Sequence, residues 1–335
     1  MRKIGRITAI ILVLALLCAG CAQKNVQPVS DTALMLDTVV TIKIYGQDEL
    51  AEDAIAAAFD EIARLDKLLS ANVAGNDLDR LAQNAGRDYI DVAPEVLSVL
   101  QTALAYAELT NGAFDPTVGP LVKLWSIKNG TGHVPTQEEL SEAMALIGYD
   151  RVLVDGGRVL LRDKGMSLDL GAIAKGYIAD RVKELLLSLG VEHANISLGG
   201  NVVVYGGKQA GVPYVVGIQD PRGETGDVLA SVERTDASLV SSGDYERYFE
   251  QDGVRYHHIL DPRTGYPAKS GLSGVTILTD GSVDGDALST AVFILGKNEG
   301  LELIESIEGA ECILVSDTGG ITLSTGLAND VTIYQ

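Results

Sequence analysis

The sequence predicts a single α+β unit, and three observations carry that reading. Its 335 residues are 46% hydrophobic, enough to bury a large core. Glycine is abundant at 37 copies while aromatics make up only 5%, a composition suited to compact structure with many tight turns. Helical periodicity dominates the first half and short strand-like runs the second, with no internal repeat or linker that divides the body.

Taken in order, residues 1–20 read as an export signal: Arg2, Lys3 and Arg6 precede the apolar run Ile7 to Leu17, which is short for a membrane span. Leu17-Cys18-Ala19-Gly20-Cys21 resembles the bacterial lipoprotein cleavage box, with Cys18 where that box usually has Leu. Cys21 is then the lipidated residue, 21–31 a short polar tether, and 32–335 the body, exported and anchored to a membrane facing outside the cytoplasm. Only Cys312 remains among the body's cysteines, in the apolar run Glu311 to Val315, so no internal disulfide is expected.

Leu36 to Tyr45 is rich in β-branched residues and reads as a strand, followed by a helix over Asp48 to Ser70 with apolar residues at helical spacing. Pro94 to Leu109 forms a second helix, opened by proline and stopped by Asn111-Gly112. Thr136 and Glu139 make a capping box for a third, ending at Gly148. Arg151 to Arg162 reads as a hairpin turning at Asp155-Gly156-Gly157, and Met166 to Leu170 as a strand feeding a helix from Ala172 to Leu189. Strands follow at Asn195 to Tyr205, Tyr214 to Gln219, Val228 to Glu233, Arg255 to Leu260 and Ser273 to Leu278. A helix beginning near Asp286, another over Glu299 to Ile307, and terminal strands complete the order.

The formal charge is −20, and loss of the three leader cations makes it −23. So acidic a body excludes nucleic acid as a partner, because nothing neutralises a row of phosphates. An anionic ligand needs a local basic site or a metal ion.

Asp169-Leu170-Gly171-Ala172-Ile173-Ala174-Lys175-Gly176 offers such a site: a helix start collects unpaired N–H groups, small residues admit a ligand, and Lys175 supplies a cation. The same run serves equally as a structural helix start capped by Asp169. Asp286 and Thr290, four apart, share a helix face and can offer a carboxylate and a hydroxyl to one hard cation such as magnesium; an ordinary N-cap is the competing reading. Of the adjacent His257 and His258, strand geometry lets only one point into a site, as a general base or merely packed. Asp115, held extended before Pro116, can present a carboxylate from a loop fixed by two prolines and two glycines.

Gly-Ala-Phe-Asp-Pro-Thr-Val-Gly-Pro-Leu from Gly112, Asp-Leu-Gly-Ala-Ile-Ala-Lys-Gly-Tyr from Asp169, Ser-Gly-Asp-Tyr-Glu-Arg from Ser242, His-Ile-Leu-Asp-Pro-Arg-Thr-Gly from His258 and Asp-Ala-Leu-Ser-Thr-Ala from Asp286 occur in one order. In these motifs the chain resembles the bacterial FAD:protein FMN transferases, the ApbE-type flavin transferases, over almost all of the body. The resemblance implies a T-fold-like α+β core of mainly antiparallel sheets with packed helices, and a ligand cleft between lobes. It implies transfer of FMN from FAD to a threonine of a target protein, a membrane redox subunit by analogy, with release of AMP.

Carried over by position, Leu36, Asn72, Ala113, Phe114, Asp115, Asp169, Lys175 and Leu260 contact FAD. Magnesium is held by the Ala172 carbonyl with Asp286, Ser289 and Thr290, and His258 is the candidate base. Two departures stand out: Ser289 replaces an aspartate of many members, and Asn72 replaces an aromatic ring, which leaves room for water at the flavin. FAD hydrolysis to FMN and AMP is therefore the rival activity, and a non-enzymatic FAD-binding lipoprotein the more distant one.

Overall fold

The computed structural model describes residues 27–128, 130–208 and 211–334. The leader and Cys21 lie outside the described residues. The chain opens with the hairpin β1 (Val29–Met35) and β2 (Thr38–Ile44), then α1 (Asp48–Leu69), α2 (Asp77–Asn84), β3 (Ile90–Asp91) and α3 (Pro94–Leu109). Next come α4 (Gly119–Trp125), α5 (Gln137–Met144), β4 (Val152–Asp155), β5 (Arg158–Leu161) and α6 (Ala174–Ser188). Strands β6 (Ala194–Leu198), β7 (Asn201–Tyr205), β8 (Tyr214–Gln219), β9 (Val228–Arg234) and β10 (Ala237–Gly243) follow. The order closes with β11 (Tyr248–Gln251), β12 (Val254–His257), β13 (Leu272–Thr279), α7 (Ser282–Glu305), β14 (Glu311–Ser316), β15 (Ile321–Leu323) and β16 (Val331–Ile333).

An eight-stranded antiparallel sheet, ordered β1-β2-β6-β7-β10-β13-β14-β15, forms the spine. Strand alternation divides its side chains between two cores. Val40, Ile42, Ile196 and Val203 pack under Ile55 and Ile62 of α1, Ile178 and Val182 of α6, and Ala287 and Ala291 of α7. Val204, Leu239, Leu278 and Ile313 face the other way, onto the small sheet β16-β9-β8 through Tyr214, Val216 and Val232. A separate aromatic cluster of Trp125, Phe249, Tyr256 and Tyr266 joins α4 and α5 to the β11–β12 hairpin.

The α+β class and its antiparallel sheets match the reading of the sequence, and α3 and β8 fall on the expected bounds. The capping box of Thr136 and Glu139 forms in both directions, although the helix ends at Met144 rather than Gly148. Several elements differ. Val29–Asp31 already pair with Ile42–Ile44, so the ordered body starts inside the expected tether. Asn195 to Tyr205 is two strands, folded at Gly199-Gly200 so that Leu198 pairs with Asn201. Met166 to Leu170 is irregular rather than a strand; its segment is tied by the Asp169 N–H to the Pro116 carbonyl at 2.9 Å. The helix carrying Asp286 begins earlier than expected, at Ser282, while the expected division into two helices is present at Gly296, whose φ of 80° is a turn glycine adopts without strain.

Candidate active site at the α6–α7 junction

Two helix N-termini meet at the centre of the candidate site. Gly176 makes the approach possible, because a Cβ there would lie 2.2 Å from the Ser282 carbonyl oxygen. Asp180, one turn further along α6, accepts the Ser282 and Val283 N–H groups, each at 2.8 Å, and so caps α7 from outside its own chain segment. Its buried carboxyl is pushed above the usual carboxylate range by desolvation, partly offset by those two N–H groups.

Asp286, almost fully buried, projects from the first turns of α7 into this junction. Its Oδ2 accepts the Gly176 N–H at 2.9 Å, and its Oδ1 lies 3.3 Å from Lys175 Nζ. Because Gly176 donates to Asp286, the Ala172 carbonyl receives no backbone N–H among the described residues. The Lys175 N–H likewise finds no acceptor there, leaving an acceptor and a donor directed out of the helix start. The helix itself begins at Ala174 with Ile173 at N-cap and no side-chain cap. Asp169 is thus not the N-cap; its carboxylate accepts the Gly171 N–H at 2.8 Å and holds the preceding turn. Burial raises its pKa, opposed by that N–H and by the charge of Arg247.

Thr290 stands one turn beyond Asp286 and is half-buried. Ser289 is fully buried and turned away from it: its hydroxyl donates to the Asp286 carbonyl at 2.9 Å and pairs with Ser242 Oγ at 2.8 Å, joining α7 to β10. Asp284 accepts the Tyr106 hydroxyl at 2.7 Å and is committed to α3.

The two histidines separate as strand geometry requires. His257 is buried against Phe293, with Nε2 bonded to the Ala268 carbonyl at 3.0 Å. His258 faces the other side, where its Nδ1–H donates to the Arg247 carbonyl at 3.3 Å and leaves the Nε2 lone pair free. Burial, joined by the charges of Arg247, His257 and Lys175, lowers its pKa to about 3. The imidazole is therefore neutral at physiological pH.

The loop after α3 behaves differently from its sequence expectation. Ala113 and Phe114 are core residues, and the Asp115 carboxylate turns inward to accept Thr117 N–H at 2.7 Å, Thr117 Oγ1–H at 2.6 Å and Tyr149 N–H at 3.1 Å. The side chains of Ala113, Phe114 and Asp115 are thus all turned inward. Leu260 is buried in the aromatic cluster and Asn72 is exposed in the turn after α1. Leu36 and Asp37 form the β1–β2 turn with φ of 55° and 56°, a strained conformation for leucine. This turn lines an open cleft of about 610 Å³ with Thr38 and Asp66, and Thr38 touches Gly199 beside the β6–β7 turn.

Residues 36–314 match the model of the ApbE family. The chain belongs to the ApbE family. It is 35% identical over 337 residues to the FAD:protein FMN transferase of Treponema pallidum (strain Nichols), covering 95% of this chain and 92% of that protein. It is 38% identical over 298 residues to an FAD:protein FMN transferase of Klebsiella pneumoniae (strain 342), covering 88% of this chain and 92% of that protein. The crystal structure of the ApbE protein from Thermotoga maritima superposes with a TM-score of 0.82 at 36% identity, covering 90% of this chain and 98% of that chain. The flavin transferase ApbE from Vibrio cholerae gives 0.79 at 28%, covering 91% and 99%.

In this ApbE-family chain the structure brings Asp169, Ala172, Lys175, His258, Asp286 and Thr290 to one region. It also adds two residues to which sequence reasoning gave no role. Arg247 accepts both the backbone N–H and the Nδ1–H of His258 on its carbonyl, and its charge acts on Asp169. Glu246 retains exposed surface, yet protein crowding around its carboxyl raises its pKa, while Lys175 and Arg247 lower it and Asp286 adds to the rise. Both lie in the Ser242 to Arg247 motif, where a carboxylate beside a cation was the available signal. No three His, Cys, Asp or Glu side chains among the described residues converge as a metal cage. The donors present are instead one carboxylate, a hydroxyl and a carbonyl without an N–H partner, a sparse oxygen set that fits magnesium completed by water and phosphate.

Proposed function

We propose that this chain transfers the FMN moiety of FAD to a threonine hydroxyl of a target protein, forming a phosphoester and releasing AMP. The arrangement around Asp286 carries this reading: a buried carboxylate, a lysine ammonium and free helix-start groups meet near a neutral histidine. The names of the relatives, FAD:protein FMN transferase, support the choice of substrate and reaction.

In the proposed step the threonine Oγ attacks the FMN phosphorus and the P–O bond to the AMP phosphate breaks, its electron pair leaving with AMP. His258 Nε2 takes the threonine proton, its ring held by the Nδ1–H bond to Arg247. Lys175 and the Lys175 N–H bind pyrophosphate oxygens, and Asp286, Thr290 and the Ala172 carbonyl are the groups that would hold magnesium. When bound, magnesium neutralises charge that builds on the pyrophosphate as it breaks. Asp169 and Gly171 shape the helix start, while the strained Leu36 turn and its cleft receive the flavin.

Incubation with FAD, magnesium and a threonine-bearing target tests the reading. Flavin fluorescence that stays with the target in a denaturing gel, and disappears with chelator, is the expected result; free FMN alone, with target present, supports hydrolysis instead. The exposed Asn72, which offers no ring to cover the flavin, favours some hydrolysis beside transfer. We further propose that lipid on Cys21 holds the enzyme at a membrane outside the cytoplasm, which suits a membrane redox subunit as target.

A further inference from the structure

Beneath the junction lie three buried side chains that lack hydrogen-bond partners among the described residues. Asn201 is fully buried with both Oδ1 and Nδ2 unpaired, and the hydroxyls of Ser238 and Ser282 are unpaired as well. Asn201 opposes Val240 across the β7–β10 pair, so the two side chains rise from the same face. Val240 meets α7 directly, since a Cβ on Gly285 would lie 2.9 Å from its Cγ2. Asn201 therefore points into the layer between the sheet and the first turns of α6 and α7. Ser238 is two residues from Val240 and shares that face; Thr279, opposite it on β13, donates to the Gly281 carbonyl at 2.7 Å, next to Ser282. Three unpaired polar groups thus line one layer directly under the turn that carries Asp286.

Buried amides and hydroxyls are costly to leave unpaired, and proteins satisfy such groups with ordered water. A strand position here takes valine or isoleucine readily, as Val203 and Ile196 show on the same face, so packing alone does not call for an asparagine. We propose that Asn201 is a positioning residue of the transfer site: ordered water shared with Ser238 and Ser282 links it to the first turn of α7 and fixes the Asp286 carboxylate. This rests on the reading of Asp286 as a magnesium ligand. The amide supplies both a donor and an acceptor, which lets one side chain orient the water between two hydroxyls.

A crystal structure of the wild-type protein is expected to show ordered water about 3 Å from the Asn201 amide. Magnesium chloride titrated calorimetrically in the presence of FAD should bind Asn201→Val about tenfold or more weakly, as for other outer residues that orient metal ligands. The melting temperature should hold, because the variant removes buried polar atoms without opening a large cavity. Asn201→Ser, which keeps a hydroxyl and room for water, should recover most of the affinity. Unchanged magnesium binding in Asn201→Val overturns the proposal, as does a dry amide in the wild-type crystal. If Asn201→Val does not fold, the wild-type density and the Asn201→Ser titration decide between the same outcomes. Asp286→Ala provides the reference: intact magnesium binding there sinks the site reading itself, whereas its loss beside a normal Asn201→Val sinks only the role of Asn201.

Discussion

Lys175 and Asp286 form an ion pair between the first turns of two helices, Nζ to Oδ1 at 3.3 Å, while the neighbouring Gly176 N–H occupies the other carboxylate oxygen at 2.9 Å. The carboxylate side chain is only 3% exposed and the lysine side chain 28%, so the pair lies at the floor of the site with its cation toward the opening. A magnesium ion and a pyrophosphate arriving together would divide these partners, the metal taking the carboxylate and the phosphate the ammonium. Replacing Asp286 by Ala removes the carboxylate and should lower transfer at least about a hundredfold, the scale of losing a group that orients charge in phosphoryl transfer. Circular dichroism should show the fold retained. Normal magnesium-dependent transfer in this variant would remove Asp286 from the site.

Replacing Lys175 by Met leaves the buried Asp286 charge with a single N–H partner. Urea unfolding should report a loss of about 3 kcal/mol, on the scale of breaking one side of a buried pair. A variant as stable as wild type at neutral pH would mean that solvent already screens the pair.

Gly176→Ala should be among the most damaging single-methyl changes in the chain. Its Cβ would sit 2.2 Å from the Ser282 carbonyl, which is backbone and cannot swing aside. Separation of α6 from α7 should cost about 3 kcal/mol or more and uncouple Asp286 from the helix start. Wild-type stability and magnesium affinity in this variant would show that the helices shift without consequence.

His258 makes a prediction in pH. Its folded-state pKa is lowered to about 3 from an ordinary 6.5, so below pH 6.5 the unfolded chain binds a proton that the folded chain does not. Stability is therefore lost as pH falls through this window. His258→Gln should remove part of that loss, flattening the unfolding free energy between pH 7 and pH 5 by about 1–2 kcal/mol. Transfer at saturating FAD and target should fall in the same variant; an unchanged rate would assign the base elsewhere.

The β1–β2 turn separates stability from function. Asp37→Gly relieves a left-handed residue and should stabilise the protein by about 1 kcal/mol with little change in transfer. Leu36→Gly should stabilise similarly but weaken FAD binding, read by fluorescence titration. Equal FAD affinity in both variants would mean that Leu36 does not touch the flavin.

Much of this was legible in the sequence where local chemistry decides the outcome. Pro94 and Asn111-Gly112 bound α3, Thr136 and Glu139 close a capping box, and the four-residue spacing of Asp286 and Thr290 places them on one helix face. Longer-range pairing hid the rest. β1 is a polar edge strand whose Ser30, Asp31 and Thr32 are exposed, and it carries no apolar alternation to reveal it. β10 reads Ala-Ser-Leu-Val-Ser-Ser-Gly, and its Ser241 and Ser242 make sense only against Thr276 and Ser289 on neighbouring elements. Asp115 looked available because proline extends its backbone, yet Thr117 and Tyr149 take its carboxylate. The partners of Lys175 and Asp180 on α7 could not be read from either segment alone.

The central sheet pairs Ile42 with Ile196 and Asn201 with Val240, then Val240 with Ile277, before α7 returns across it. The junction joins Gly176 to Asp286, 110 residues further along the chain. A ribosome must release almost the entire polypeptide before Asp286 can meet Gly176, and such distant pairings are slow to close. A chain that stops short of α7 therefore has neither Asp286 nor the contact with Gly176 that holds it.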